Sequence, residues 1–168
     1  QAADVWKNHS GTGEQAEVSD GKLILTQSGS EDFHAKLAGG PYKKSSGGTL
    51  YASFDVEFRE LPRGGGSYFA HFKDKGTGYR GRIIAQATGA EGGALRIGVT
   101  SKGKVSTAVF DSDLHLETVY KVVIALNLAD ARTTLWIDPD SNGVGGVTTT
   151  DNGSGVDVIG FAFRQASN

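Results

Sequence analysis

The sequence has no cysteine and no methionine, and only three prolines in 168 residues. Without cysteine the chain cannot use disulfides, thiol nucleophiles or zinc–thiolate centres. A chain without methionine that opens on Gln1 reads as a processed or excised product, cut from a secretion signal or from a larger protein. Charge of one sign is also missing. The formal net charge is −2, with 17 Lys and Arg set against 19 Asp and Glu and no basic or acidic block. That pattern predicts no nucleic-acid partner and no anionic membrane surface. No apolar run approaches the roughly 18 residues of a membrane span, so no membrane insertion is expected.

Glycine is abundant instead, at 25 of 168 residues, about twice the usual ~7%. With so little proline and so many Thr, Val, Ser and aromatic residues, this glycine belongs to turns and not to disorder. The length fits one domain over residues 1–168, large enough for a real hydrophobic core. No internal repeat of fixed period is present.

Alternation with a period of two recurs along the chain, and helical periodicity is nearly absent. In "TLYASFDVEF", Leu50, Ala52, Phe54, Val56 and Phe58 point one way, while Tyr51, Ser53, Asp55 and Glu57 point the other. Further strand candidates are "GKLILTQ", "DFHAKL", "SYFAHFKD", "YRGRIIAQAT", "ALRIGVT", "KVSTAVFD", "VYKVVIALNL", "TTLWID", "GVTTT" and "VDVIGFAFRQ". "PRGGG", "DKGTG", "GAEGG", "SKGK" and "NLADAR" separate them as turns. About eleven short strands with short turns imply an all-β fold, two packed antiparallel sheets in a sandwich or jelly roll. The stretch "DSDLHLETV" reads as loop. No strand pattern follows "FAFRQASN", so a closing edge strand is expected outside these residues.

One hairpin can be derived in register. "SYFAHFKD" and "YRGRIIAQ" flank "KGTG", which sets Asp74 opposite Tyr79, Phe72 opposite Gly81, Ala70 opposite Ile83 and Tyr68 opposite Ala85. Lys73 then faces Arg80, and His71 faces Arg82, on the other side of the sheet. If the preceding strand lies alongside, Glu57 comes near His71 and Asp55 near Lys73. Two readings follow: a solvated face laced with cross-strand ion pairs, or a polar groove of Asp55, Glu57, His71, Lys73, Arg80 and Arg82 that holds a sugar or an acidic polymer. The predicted core is Leu50, Phe54, Val56, Phe58, Tyr68, Phe72, Ile83, Val122, Ile124, Leu135, Ile137, Phe161 and Phe163.

"IDPDSNG" is the metal candidate. Asp138, Asp140 and Asn142 alternate ahead of Gly143, as in the first half of a calcium loop. The closing position, six residues past the glycine, is Thr149 and not Glu, and no helix pattern flanks the segment. Asp-Pro followed by Ser, Asn and Gly is also what a strand-to-loop turn uses. Calcium is therefore the one candidate cofactor, with a plain turn as the competing reading. "GVTSKGK" has the glycine and lysine spacing of a phosphate loop, but Val105 follows where Ser or Thr must sit, and a strand follows where a helix is required. His9, His34, His71 and His115 show no zinc-protease spacing. Asn8 and Asn152 fit the glycosylation pattern.

From about residue 49 to 164 the chain resembles the concanavalin A-like, laminin-G-like jelly-roll domains of exported bacterial proteins. The resemblance is carried by "LYASFDVEFRELPRGGGSYFAHFKD", "YRGRIIAQATGAEGGALRIGVT" and "VYKVVIALNLADARTTLWIDP". It implies a lectin- or glucanase-type sandwich, a carbohydrate-binding or adhesive module that is secreted or held at the cell surface or in the periplasm. The glucanase motif Glu-x-Asp-x-x-Glu is absent, which weighs against an enzyme. Three readings remain open: a non-catalytic module with a glycan ligand, a polysaccharide-cleaving glycosidase or lyase using Asp55 or Glu57 as acid and base, and a structural spacer. Nothing in the sequence speaks to oligomeric state.

Overall fold

The computed structural model describes residues 5–151 and 153–166. Strands β1 (Trp6–Ser10), β4 (Asp32–Lys36), β6 (Ser67–Lys73), β7 (Tyr79–Gln86), β8 (Ala94–Thr100), β9 (Ala108–Val109), β10 (Leu114–His115) and β14 (Gly160–Arg164) build one large sheet. Its order is β1-β4-β14-β6-β7-β8-β10, with β9 also beside β8. Strands β5 (Thr49–Glu57), β11 (Val119–Asn127), β12 (Thr133–Ile137) and β13 (Val147–Thr148) form a smaller sheet in the order β13-β12-β11-β5. A short hairpin pairs β2 (Glu17–Ser19) with β3 (Lys22–Ile24). Every pairing is antiparallel. This is the expected jelly-roll sandwich.

The core lies between the two sheets. Phe72, Ile83, Leu95, Ile97, Val99, Ile124, Leu126 and Leu135 are almost wholly buried, each contributing about 1.5–3 kcal/mol through removal of apolar surface from water. The inward residues of β5, Leu50, Ala52, Phe54 and Val56, pack against this cluster from the edge of the smaller sheet. Phe54 also meets Phe161 and Phe163 of the large sheet, with ring centroids 5.9 and 5.2 Å away.

Three expectations need correction. Strands β1 and β2 are not signalled by clean alternation. The segment before Ala108 is loop, so little of "KVSTAVFD" is strand. The β6–β7 register matches expectation only at Ala70–Ile83; the observed pairs around it are Tyr68 with Ile84, Phe72 with Arg80, and Lys73 with Tyr79. Two bulges that cancel each other explain this. Phe69 is the extra residue on β6, between Tyr68 and Ala70. On β7, Gly81 and Arg82 together face His71. Gly81 adopts φ +59°, the left-handed conformation a bulge of this kind requires.

The bulges decide which side chains reach the core. Phe69 turns inward against Phe54 and Phe58, and Tyr68, expected in the core, turns outward. A Cβ on Gly81 would lie 3.3 Å from Thr133, 3.4 Å from Ile124 and 3.4 Å from Phe72. Gly81→Ala is therefore expected to lose about 1–3 kcal/mol, from left-handed strain and crowding together. Urea unfolding of the variant against the parent protein checks this.

Candidate functional site

The outward face of the large sheet, turned away from the smaller sheet, gathers chemistry that no single motif announces. His34 on β4 and His71 on β6 both pair with Ala162 of the intervening β14. Only a methyl group separates the two imidazoles along this row. His9, at the irregularity in β1, stacks edge-on to both, 5.2 Å from His34 and 6.2 Å from His71. Tyr79 lies 4.4 Å from His71 and Tyr68 lies 5.5 Å from it.

Three cations close over these rings. The Arg82 guanidinium stands 4.7 Å from the Tyr68 ring and 5.7 Å from that of Tyr79. Arg164 covers Tyr68 at 4.4 Å, and Lys73 covers Tyr79 at 5.5 Å, contacts typical of cation–π pairs. Asp32 is the one carboxylate among them. It accepts a 2.7 Å hydrogen bond from Ser10 and lies 3.7 Å from Arg164, which also donates to Ser67.

Burial sets the protonation states. Desolvation, reinforced by Lys73 and His34, pulls the pKa of His9 down to about 4. Burial and the neighbouring Lys73 lower His34 as well. Burial, with His9 and Arg82 nearby, drives His71 well below the ordinary histidine range. Burial raises Tyr79, aided by Tyr68 and Asp32, and burial also raises Asp32. At neutral pH the face thus holds three uncharged imidazoles and the protonated Tyr79 phenol beneath Arg82, Arg164 and Lys73. Its net charge is positive, although the whole chain is slightly acidic.

Unmet hydrogen-bonding capacity concentrates here too. Among the described residues, the buried side-chain polar atoms without a partner are both ring nitrogens of His9 and of His71, Nδ1 of His34, Oδ1 of Asp32, Nε of Arg82, and Nε2 of Gln165. All but the last belong to this cluster. Buried polar atoms are ordinarily paired, so such a concentration marks a place built for polar contact.

Two carboxylates anchor the margins. Glu31 accepts from the backbone N–H groups of Gln15 (2.8 Å) and Ala16 (2.7 Å) and from the Asn8 amide (3.2 Å), pinning segment 11–16. Asp151 accepts from Thr100, Thr107 and the N–H groups of Ser101 and Lys102. This fixes segment 101–107 against β8, where Gly103 receives a 3.0 Å bond from Arg82. Burial alone would raise both carboxyls, but the converging donors hold them below the ordinary range. Beyond Lys73, a recess of about 410 Å³ is lined by Lys43, Lys44, Asp74, Lys75 and Asp157.

The structure divides the six residues expected to line one groove. His71, Lys73 and Arg82 lie together in the cluster. Arg80 turns away, donating to the Ser154 carbonyl at 2.9 Å. Asp55 and Glu57 are on the opposite sheet, because β5 pairs with β11 and not with β6. There Asp55 meets Lys121 at 3.2 Å, and Glu57 meets Lys22 at 3.1 Å and Arg59 at 3.2 Å. The Lys22 and Arg59 bonds keep Glu57 ionised below its ordinary pKa, the wrong direction for a general acid. His9, Asp32, His34, Tyr68, Tyr79 and Arg164 were not expected at a site. A partial signal exists in "DFHAKL", where Asp32, His34 and Lys36 alternate against Phe33 and Ala35.

The "IDPDSNG" oxygens serve the backbone. Asp138 Oδ1 accepts from Lys121 N–H at 2.7 Å, and Asp140 Oδ1 accepts from Asn142 N–H at 3.0 Å. Gly143, at φ +63°, gives its carbonyl to the Trp136 indole at 2.7 Å. No group of three or more His, Cys, Asp or Glu among the described residues is arranged to hold a metal ion. Asn8 spends its amide on Ser10 and Glu31, and Asn152 lies outside the described residues.

No protein-family model matches the chain, and no curated protein matches it in sequence. Solved structures do share the fold. An alginate lyase, AlgAT5 of polysaccharide lyase family 7, superposes with a TM-score of 0.58 at 16% identity, over 95% of this chain and 74% of that one. The alginate lyase from Corynebacterium sp. gives 0.54 at 14% identity, over 93% and 71%. The carbohydrate recognition domain of Emp46p gives 0.48 at 14% identity, over 98% and 83%. Identities this low speak to the fold alone, and the two alginate lyases share the antiparallel two-sheet sandwich. No helix among the described residues is long and apolar enough to cross a membrane.

Millimolar calcium is expected to leave the melting temperature of this protein where chelator leaves it. A site filled at a hundredfold excess over its dissociation constant would instead add about 2.7 kcal/mol, visible as a shift of several degrees.

Proposed function

We propose that the protein is an exported glycan-binding module that holds a carboxylated polysaccharide against the outward face of the large sheet. One observation carries the reading: Arg82, Arg164 and Lys73 converge on Tyr68 and Tyr79 over the buried polar atoms that lack partners. Guanidinium groups pair with carboxylates in a planar, two-pronged geometry, and the Tyr68 and Tyr79 rings beneath them hold the guanidinium groups in place. At the 410 Å³ recess Lys43 is paired with Asp157 at 2.9 Å, and Lys44 and Lys75 extend the same preference along an acidic polymer. The shared fold of two alginate lyases supports an acidic polysaccharide over a neutral one.

A second reading, cleavage by β-elimination, is favoured by the 4.4 Å contact of Tyr79 with the uncharged His71. In that reaction a base removes the proton next to the uronate carboxylate. The electron pair left behind forms the ring double bond as the glycosidic carbon–oxygen bond breaks, and the departing oxygen takes a proton. Arg82 would stabilise the charge building on the carboxylate, and Tyr79 would exchange the proton at its hydroxyl.

Alginate and pectate are expected to bind, with affinity falling as salt rises, while neutral β-glucan does not. Arg82→Gln and Arg164→Gln should each weaken binding about ten- to a hundredfold, the worth of one charged hydrogen bond. Calorimetry or affinity electrophoresis in calcium and in chelator reads this, and blank results with both acidic polymers overturn it. Ultraviolet absorbance from an unsaturated product, lost in Tyr79→Phe, would move the assignment from binding to cleavage.

A further inference from the structure

Strand β1 is an edge of the large sheet, paired with β4 alone. Its register slips between Asn8 and Ser10, and the displaced residue is His9. The strand carries His9 over the fully buried His71 and to within 5.9 Å of the Tyr79 ring. What holds β1 down is modest: four register pairs, the Trp6 ring on Phe33 and Phe163, Ser10 on Asp32, and Asn8 on Glu31.

The surroundings of His9 are hostile to a second positive charge. Against it lie His34 from β4, His71 and Lys73 from β6 and Tyr79 from β7; the next groups out are Tyr68, Arg82 and Arg164 around His71, Asp32 near Tyr79, and Lys7 and Lys36 near His34. Asp32 is the only carboxylate in that set, and it is already engaged by Ser10 and Arg164. Neither ring nitrogen of His9 has an acceptor to receive a proton.

We propose that β1 is an acid-released strap: a proton taken up by His9 drives the strand off the sheet and uncovers His71 and Tyr79. The consequence for ligand access rests on the binding face proposed above; the movement itself does not. Its direction follows from linkage. A detached His9 binds its proton near 6.5, whereas the docked one holds it only near 4. Docking is therefore unpenalised above about 6.5, weakens progressively as pH falls, and has lost the full increment below about 4.

Amide hydrogen exchange of the whole chain between pH 7 and 4, expressed as protection factors, tests the strap without any ligand. For one proton gained, protection in Trp6–Ser10 should fall by up to about tenfold per pH unit over the lower part of that range, while Val119–Asn127 stays protected. His9→Gln should flatten the dependence, Asp32→Asn should retain it, and His9→Phe carries the same test should the glutamine variant not fold. Constant β1 protection in the parent protein overturns the strap, as does an unchanged fall in both His9 variants. Simultaneous loss of β1 and β11 also overturns it, because that is global unfolding. Flat exchange leaves the glycan face standing, and a blank polysaccharide panel leaves the strap standing, so the two failures are distinguishable.

Discussion

The pair of compensating bulges in the β6–β7 hairpin is the constraint on which the rest of the structure depends. An unbroken ladder would put Tyr68 in the core and Phe69 in solvent. The extra residue on β6 reverses them, and the left-handed turn of Gly81 restores the register one step later on β7. The core thereby keeps Phe69, Phe72 and Ile83, while Tyr68, His71 and Arg82 share the outward face. A sandwich without disulfides has only pairing and packing to hold such a register. Bulges persist where burial on one side over-determines them, and here Thr133, Ile124 and Phe72 surround the glycine.

On the outward face, desolvation outweighs Coulomb attraction. Three histidines near one carboxylate could have formed charged pairs, yet burial leaves all three with lowered pKa values. The positive charge resides chiefly on the guanidinium groups, which stay protonated when partly buried, whereas burial lowers the pKa of the Lys73 ammonium. The opposite sheet is organised differently. Its pairs, Asp55 with Lys121 and Glu57 with Lys22 and Arg59, involve exposed cations, where solvent screening leaves ion pairs little weight. Charges that neutralise one another in solvent leave nothing for a ligand, whereas uncompensated charges over unpartnered polar atoms do.

The fold was legible because period-two alternation is a local signal. Residues 50–58 alternate cleanly, and Val122, Ile124, Leu135 and Ile137 fall inside as their pattern requires. The site was half legible. His71, Lys73 and Arg82 stood out because one hairpin carries them, and a hairpin register can be counted. His9, Asp32, His34 and Arg164 reach the same face through the pairings of β1 with β4, β4 with β14 and β14 with β6. Those pairings join residues from 22 apart, as in Ser10 with Asp32, to 132 apart, as in Arg164 with Asp32, and no local pattern encodes them. Placing Asp55 and Glu57 beside His71 failed for the related reason that consecutive strands β5 and β6 go to different sheets, as jelly-roll connections allow.

Burial also constrains how this face could act on a polymer. His71 is fully enclosed, so it cannot touch a sugar while β1 is docked, whatever its protonation state. Its role in that state is to lie against Tyr79, a half-exposed neighbour, and fix that ring. The route for a proton to or from a bound uronate would be the Tyr79 hydroxyl, and burial has raised the pKa of that group. A phenol made harder to ionise is a better donor than acceptor of protons at neutral pH. Binding therefore needs only the face as it stands, whereas elimination needs a base that the docked strand keeps covered.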